Sequence, residues 1–343
     1  MSKLKIWLNK GFASAWHLSR SIREADTSGM FSLLVSHDDE RFPAFELADE
    51  CFPDFSTSDS DAYALWALEV CKSRRVDLFW PTRGCRAVAR IKSQFEAVGT
   101  RLMICAESDV LDLLDHKGEF LDSLAGSGLP LGAYRRVRDL EGFKQAYQEL
   151  SSEGGRLCLK PCKGIYGQGF RILGAPDDLD HSHRGNATDL ESLENLFSDP
   201  EVSEQLLMAY LPGPEYSVDC LAHRGKLVCC TIRRKGKATR SWQYVCDDPG
   251  LREQAAVLAE RFSLDGQFNA QFRCLDGVPV VLEINARPSG GIRYALTAGT
   301  PYPYWALRLA LGADPASVPT PRTDFWVGEV REAVVLDRLA EVP

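Results

Sequence analysis

The stretch "PVVLEINARPSGG" (279–291) sets two oxygen-bearing side chains into a run that is otherwise apolar. Extended backbone sends successive side chains to opposite faces, so Glu283 and Asn285 share one face while Val280, Leu282 and Ile284 share the other. A carboxylate beside a core is costly unless something binds it. Upstream, "FNAQFRCLDG" alternates in the same way, with Phe268, Ala270, Phe272 and Cys274 on the apolar side and Asn269, Gln271 and Arg273 on the other. If Asp276, Gly277 and Val278 make a three-residue turn, Gln271 stands opposite Glu283 and three oxygens converge; a strict two-residue turn puts Gln271 on the wrong face. Hard oxygen donors with few carboxylates and no sulfur suit Mg²⁺, which keeps part of its water shell and shares phosphate oxygens. Arg287 and the "PSGG" turn add a fixed cation and backbone N–H groups, as phosphate recognition needs. For the hairpin taken alone, a solvated strand face is the competing reading.

Three further segments carry chemistry-bearing residues. In "LKPCKGIYGQGF", Lys160 ends an apolar strand, and Gly164, Gly167 and Gly169 let the following loop approach an anion closely. No G-K-[ST] follows, so this is not a Walker loop, and an ordinary hairpin tip competes with the anion-binding reading. In "MAYLPGPEYSVD", a short strand and a Pro–Gly bend place Glu215 where a carboxylate can reach ribose hydroxyls; a salt-bridged linker glutamate is the alternative. The segment "TIRRKGKATR" concentrates Arg233, Arg234, Lys235, Lys237 and Arg240, which form either an anion-binding loop over the substrate or a solvated basic turn. Arg83, after "FWPT", is more simply a surface ion pair than a cleft residue. The six histidines show no metal or triad spacing, and none is assigned chemistry.

The elements that must position these residues follow from periodicity. Strands at 4–9, 31–37, 76–81 and 101–106 alternate with helical patterns such as "SAWHLSRSIREA", "DAYALWALEVCKSR" and "CRAVARIKSQFEAVG". That alternation over residues 1–107 implies a Rossmann-like parallel sheet with helices on both faces. The first strand–turn–helix lacks G-x-G-x-x-G, so no dinucleotide site is expected there. From 108 onward a helix carrying Lys117 gives way to β-rich stretches: a hairpin around the glycine loop, a polar surface loop at 174–192, and strands joined at Pro212–Gly213 and Arg224–Gly225. The overall expectation is an α/β and α+β chain whose texture changes after residue 107; the family resemblance drawn from its motifs implies a two-lobed domain at 108–320 with a lid at about 130–210, and a C-terminal segment at 321–343.

Composition narrows the class. At 343 residues the chain holds two or three domains, and a formal charge of −8 argues against nucleic-acid and membrane partners. No apolar run approaches the roughly 20 residues of a membrane span, and "MSKLKIWLNK" lacks a signal-peptide core, so a cytoplasmic location is expected. Eleven cysteines without a C-x-x-C pair read as reduced thiols inside elements rather than a zinc site.

Taken in order, a lysine before a G-x-P segment, a lysine–proline with a glycine loop, a strand–PG-x-E, and Q…E-I-N-x-R resemble the ATP-grasp superfamily over residues 108–312. "EINARPSGG" and "GPEYSVD" are most similar to the carbamoyl-phosphate synthase large-chain branch. The whole chain, with "KIWLNKGFASAWHLSRSIREAD" and "DLFWPTRG", is similar to the ATP-grasp family found near tellurium-resistance genes, with 1–107 as the preceding domain. The resemblance implies that Lys117 and Lys160 contact the nucleotide phosphates and adenine side, and that 164–169 forms a phosphate-covering lid. It further implies that Tyr210 and Leu211 offer backbone groups to adenine, Glu215 holds the ribose, and Gln271, Glu283 and Asn285 carry Mg²⁺, with Mn²⁺ as the alternative ion. Arg287 steadies the transferred phosphoryl group, with Arg233 as the second catalytic candidate. Two departures stand out: Ala209 replaces the usual hinge acid, and Tyr166 and Gln168 make the glycine loop bulkier. The implied reaction is ATP-dependent activation of a small-molecule carboxylate and its transfer to an amine; a phosphotransferase and a non-catalytic ATP-binding regulator are the rivals. The aromatic "TPYPYWALRLALG" either packs internally or forms a homodimer interface.

Overall fold

In a computed structural model, residues 3–10, 14–164, 167–176, 179, 184–236, 242–330 and 332–336 are described. Three sheets organise them. The first comprises β1 (Leu4–Leu8), β2 (Phe31–His37), β3 (Glu50–Pro53), β4 (Leu78–Trp80) and β5 (Arg101–Leu102), all parallel, in the order β3-β2-β1-β4-β5. Helices α1 (Ala15–Ala25), α2 (Ser60–Arg74), α3 (Cys85–Arg90) and α4 (Lys92–Ala97) connect them. α2 starts where Asp59 accepts from the N–H groups of Asp61 and Ala62, and it stops at Arg75, whose φ of 54° lies in the left-handed region.

Periodicity foresaw four of these five strands. β3 escapes it because four residues with a single buried side chain show no alternation. The expected long helix over 85–99 breaks at Ile91 into α3 and α4. The expected strand over 101–106 keeps its pairing only briefly: Met103 still donates to Phe79, and then the Cys105 carbonyl turns to accept from Asp265 at 2.9 Å. That last bond ties the first sheet to the third.

After α5 (Ser108–Asp115) and α6 (Lys117–Ser123) comes the second sheet. It contains β6 (Tyr134–Val137), β7 (Leu157–Pro161), β8 (Arg171–Leu173), β9 (Ala187–Thr188) and β10 (Gln205–Ala209), ordered β6-β10-β7-β8-β9. Helices α7 (Leu140–Ser152) and α8 (Leu190–Phe197) cover it through Phe143, Leu150 and Phe197, and each is capped by an aspartate, Asp139 and Asp189. The polar 174–192 stretch is therefore not all loop: β9 pairs with β8 inside it, and α8 begins there. Its His181 and His183 lie outside the described residues.

The third sheet is antiparallel, ordered β15-β14-β11-β12-β13-β16, with β11 (Glu215–His223), β12 (Lys226–Lys235), β13 (Trp242–Cys246), β14 (Gly266–Leu275), β15 (Val278–Asn285) and β16 (Phe325–Gly328). Helix α9 (Pro249–Arg261) packs its Leu251, Ala255 and Leu258 against one face, with Val218, Cys220 and Ile232. Helices α10 (Ile292–Leu296) and α11 (Tyr302–Ala310) take the other face, and there Leu221, Ile292, Tyr302 and Leu307 share one core with Ile6, Val35 and Ile22 of the first sheet's layer. The aromatic "TPYPYWALRLALG" segment thus packs internally, and the apolar core runs straight across residue 107. Strand β16 adds an edge strand from within the C-terminal segment.

Two details of the β14–β15 hairpin decide the site. Its turn has two residues, Asp276 (φ 50°) and Gly277 (φ 83°), the left-handed pair of a type I′ turn, not the three that parity demanded. The missing residue is supplied further along, where Gln271 pairs with Glu283 but Phe272 pairs with Val281, leaving Leu282 bulged out of the ladder. The bulge restores Gln271 to the face of Glu283, and both Val280 and Val281 are buried as a result.

Candidate active site

Residues singled out by sequence meet where β15 of the third sheet faces the start of α6 and the end of β7. Glu283 and Asn285 lie on β15, with the Asn285 amide nitrogen 3.2 Å from Glu283 Oε1. Across the hairpin, Gln271 faces Glu283 and Asn269 faces Asn285. Asn269 is fully buried, and its amide oxygen has no partner among the described residues. Arg287 follows the strand; its Nη2 donates to Asn285 Oδ1 at 3.3 Å and its Nη1 to the Pro288 carbonyl at 3.1 Å.

Lys117, at the start of α6, reaches the same carboxylate, with Nζ 3.6 Å from Glu283 Oε2, and also donates to the Gly164 carbonyl at 2.8 Å. Its backbone is pinned by a 2.8 Å hydrogen bond to the Cys162 carbonyl at the end of β7. Lys160, paired in register with Leu206 of β10, is half-buried. Burial pushes its amine's pKa down; Glu283 opposes that shift and Lys117 adds to it, so all three groups sit within one another's field. Two ammonium groups with one carboxylate between them form a site short of negative charge, suited to a polyanion. Gly164, Gly167 and Gly169 all have positive φ, and a side chain at Gly169 would strike Pro161 at 2.8 Å. Tyr166 lies outside the described residues.

The Pro212–Gly213 bend is strapped to β14. Gly213 donates to the Cys274 carbonyl at 3.0 Å, Cys274 donates to the Pro214 carbonyl at 3.0 Å, and a Cβ at Gly213 would lie 2.6 Å from that Cys274 oxygen. Tyr210 gives its N–H to the Arg156 carbonyl at 2.7 Å and lies under the Arg273 guanidinium at 5.5 Å, so that N–H is committed within the protein. Leu211 is buried in the main core. Glu215 begins β11 and forms an ion pair with Lys235, the salt-bridged state that sequence reasoning held as its alternative.

Arg233 departs from expectation. It is 1% exposed, neither a solvated turn residue nor an open anion receptor. Its Nε donates to Asp219 Oδ2 at 2.7 Å, its Nη2 to Ser217 at 2.9 Å and to Ser289 at 3.1 Å, and its Nη1 to Gln243. Asp219, at 2% exposure, also accepts from Asn269. Through Ser289 the guanidinium holds the "PSGG" turn in place, and Gly291 leaves no room for a Cβ beside it (2.9 Å). Arg233 thus braces, from within the core, the turn that follows Arg287. Lys237 and Arg240 lie outside the described residues. Arg83 pairs with the buried Asp54 at 3.6 Å and donates to loop carbonyls of Phe55 and Thr57, away from this cleft.

Sequence reasoning missed the strap that sets Lys117. His116 caps α6 by accepting from the Glu119 N–H, and its Nε2 lies 2.9 Å from Glu204 Oε2. Glu204 also accepts from Arg136 and Arg138; burial works against its charge, yet those hydrogen bonds hold its carboxyl below the usual range. His116, Cys162 and Glu204 are the one such trio among the described residues with donor atoms within 4.8 Å of one another. Because Nδ1 is an acceptor, Nε2 carries the proton, and the arginines already neutralise the carboxylate. The trio is a hydrogen-bonded clamp, not a metal site. No spacing rule would have found it, since its members lie 42 to 88 positions apart in the chain.

The cleft fits a hard divalent cation. One carboxylate and the amide oxygens of Gln271 and Asn285 are the donor set Mg²⁺ accepts, and Lys117 Nζ stands against Glu283 as a positive charge. Asn285 presents its amide nitrogen to Glu283; a half turn about its terminal torsion exchanges that nitrogen for the oxygen a cation needs.

Comparison with other proteins agrees with this architecture. Residues 201–333 match the family model described as "ATP-grasp in the biosynthetic pathway with Ter operon". No curated protein matches the sequence. Among solved structures, N5-carboxyaminoimidazole synthetase from Staphylococcus aureus complexed with ADP is similar at a TM-score of 0.69 and 14% identity, covering 94% of this chain and 81% of that one. The biotin carboxylase domain of Hydrogenobacter thermophilus 2-oxoglutarate carboxylase, in complex with MgADP, ADP and bicarbonate, gives 0.66 and 16% over 91% and 70%. L-amino acid ligase from Bacillus licheniformis gives 0.65 and 16% over 91% and 75%.

Proposed function

We propose that this chain, an ATP-grasp protein in its fold and in the family match of residues 201–333, is a Mg²⁺-dependent ligase that activates a carboxylate as an acyl phosphate and passes the acyl group to an amine. The observation that carries the reading is the convergence of Lys117, Lys160 and the oxygens of Gln271, Glu283 and Asn285 on one cleft with Arg287 at its end. Support from outside the chain is that proteins of this fold are described as a synthetase, a biotin carboxylase and an amino acid ligase.

In this reading Lys117 and Lys160 bind the triphosphate, exchanging their shared Glu283 contact for phosphate oxygens. Tyr210, Leu211 and Glu215 take the nucleoside, with Glu215 leaving Lys235 for the ribose. Gln271, Glu283 and Asn285 would hold a magnesium ion, which would supply neutralisation of the phosphate charge. Arg287 orients the acid and stabilises charge on the transferring phosphoryl group. A carboxylate oxygen attacks the γ-phosphorus, the bond to the bridging oxygen breaks, and ADP departs with that electron pair. The amine then adds to the acyl carbon, loses its proton, and phosphate leaves. Gly164, Gly167 and Gly169 let the loop close over this chemistry, since an acyl phosphate open to water hydrolyses.

Hydroxylamine trapping tests the reading. Incubation with Mg²⁺, ATP, a panel of small carboxylic acids and hydroxylamine is expected to yield ADP and a hydroxamate in equal amounts. ADP release with a stable phosphorylated product and no hydroxamate for any acid would select the phosphotransferase instead.

A further inference from the structure

Asn285 stands between two charges that make opposite demands of one amide. Its nitrogen donates to Glu283 Oε1 at 3.2 Å, and its oxygen accepts from Arg287 Nη2 at 3.3 Å. Without a cation this orientation alone serves both neighbours, because a carboxylate accepts and a guanidinium donates. A hard divalent ion reverses the demand. Adjacent ligands of an octahedral ion at about 2.1 Å stand about 3.0 Å apart, so Glu283 and Asn285 share neighbouring sites on an ion only when the Asn285 oxygen takes the place its nitrogen now holds. The half turn that achieves this swings the nitrogen away from Glu283 to the side of Arg287, donor against donor, and that contact breaks. The guanidinium keeps its bond to the Pro288 carbonyl through Nη1.

The turned nitrogen has an acceptor in reserve. Asn269 lies opposite Asn285 in the register of the hairpin, is fully buried, and has an amide oxygen without a partner among the described residues. Its own nitrogen donates to Ser217 Oγ at 2.9 Å, the Val218 carbonyl at 3.1 Å and Asp219 Oδ1 at 3.2 Å, all on β11. Strand β14 lies between β11 and β15, so an amide whose nitrogen is spent towards β11 leaves its oxygen on the side of β15. A buried acceptor left unmatched is costly, and the residue opposite carries the amide that must turn.

We propose that Asn285 is a two-position switch and that Asn269 is the positioning residue that holds its second position. In the metal-free protein Asn285 ties Glu283 to Arg287. With a divalent ion in the site, the Asn285 oxygen joins Glu283 on the ion, its nitrogen donates to Asn269 Oδ1, and Arg287 parts from Asn285 and turns to an oxyanion in the cleft. Metal occupancy and the release of Arg287 from Asn285 are thereby linked through one side chain. The switch rests on the ligase reading and adds an order to it, the metal engaging before Arg287.

Two measurements on the full chain test the switch. In the first, calorimetry gives the affinity for a non-hydrolysable ATP analogue with Mg²⁺ and in excess chelator, for wild type and Asn269→Leu, in which leucine keeps the volume and removes the acceptor. The variant is expected to lose roughly five- to tenfold of the affinity that Mg²⁺ adds, the scale of one buried hydrogen bond, while affinity in chelator stays within about twofold of wild type. In the second, the side-chain amides of the five asparagines are followed by NMR in ¹⁵N-asparagine-labelled wild type, and replacing the other four singly identifies the Asn269 signals by elimination. The analogue in chelator is expected to leave the Asn269 amide signals in place, and added Mg²⁺ to shift them together with those of Asn285. Asn269 signals that ignore Mg²⁺, a gain from Mg²⁺ in Asn269→Leu equal to that of wild type, or equal weakening with and without Mg²⁺ overturns the switch while the wild-type Mg²⁺ effect keeps the ligase reading standing. Should Mg²⁺ add nothing to analogue affinity in wild type, the ligase reading falls and the switch with it. If Asn269→Leu does not fold, the labelled wild-type spectra decide.

Discussion

Replacing Glu283 with glutamine removes one negative charge from the cleft while keeping the side chain's shape and its acceptor for Asn285. In the ligand-free protein that carboxylate faces Lys117 Nζ at 3.6 Å and lies in the field of Lys160. At this separation Coulomb's law gives roughly 1 kcal/mol in bulk water and roughly 4–5 kcal/mol at an effective dielectric of about 20. Both side chains keep some exposure, 15% for Lys117 and 26% for Glu283. A working value of about 2 kcal/mol, or about thirtyfold in an equilibrium constant, is therefore appropriate. ATP binding without magnesium has to displace this carboxylate from the lysine, so Glu283→Gln is expected to tighten metal-free ATP binding by about ten- to thirtyfold. With magnesium the sign reverses: the one charged metal donor is gone, and turnover is expected to fall by about a hundredfold or more. Displacement of a fluorescent ATP analogue in excess chelator measures the first effect; ADP release with magnesium and the hydroxamate-forming acid measures the second. Magnesium-dependent turnover within threefold of wild type, or metal-free affinity that weakens, would refute the assignment of Glu283.

Two further outcomes are expected. Arg233→Met strands the buried Asp219 carboxylate and should cost about 3–5 kcal/mol, lowering the melting temperature by roughly 4–7 °C, whereas adding Asp219→Leu should recover most of the loss; an unchanged melt in the single variant would show the pair contributes little. Lys160→Met should weaken Mg-ATP binding about tenfold yet hold or raise the melting temperature at neutral pH, read by scanning fluorimetry. The sign follows from burial, which holds the folded-state pKa of Lys160 below its unfolded value. The charged amine thus costs stability below the folded pKa, and the cost is relieved as pH rises from there through the ordinary lysine range near about 10.4, so the gap between variant and wild type should close in alkaline buffer. A variant that melts lower at neutral pH and keeps wild-type ATP affinity would remove Lys160 from the site.

Much of this molecule was legible from residue order because it is written in short-range periodicity. The apolar faces of β14 and β15, the Lys160 strand with its glycine loop, the Pro212–Gly213 bend and four of the five strands of the first sheet follow from alternation and turn chemistry over a few residues. So does the convergence of Gln271, Glu283 and Asn285, but for the wrong local reason: a two-residue turn and a bulge at Leu282 together do what a three-residue turn was expected to do. A bulge carries no signature in a run as uniformly apolar as "PVVLEI", because it is chosen by what Val280 and Val281 pack against.

Tertiary structure alone decided which charged groups face a ligand and which support the frame. Arg233 sits in a basic run that reads as an anion-binding loop or a solvated turn, yet Asp219, Ser217, Gln243 and Ser289 enclose it. Lys117 owes its place to His116, Glu204 and Arg136, which come from three separate segments. A strand's alternation is set by neighbours two positions away and survives in the sequence. The partner of a buried charge or amide is chosen by segments tens to hundreds of residues distant, so the identity of a polar residue tells what it can bind and only the packed chain tells what it does bind.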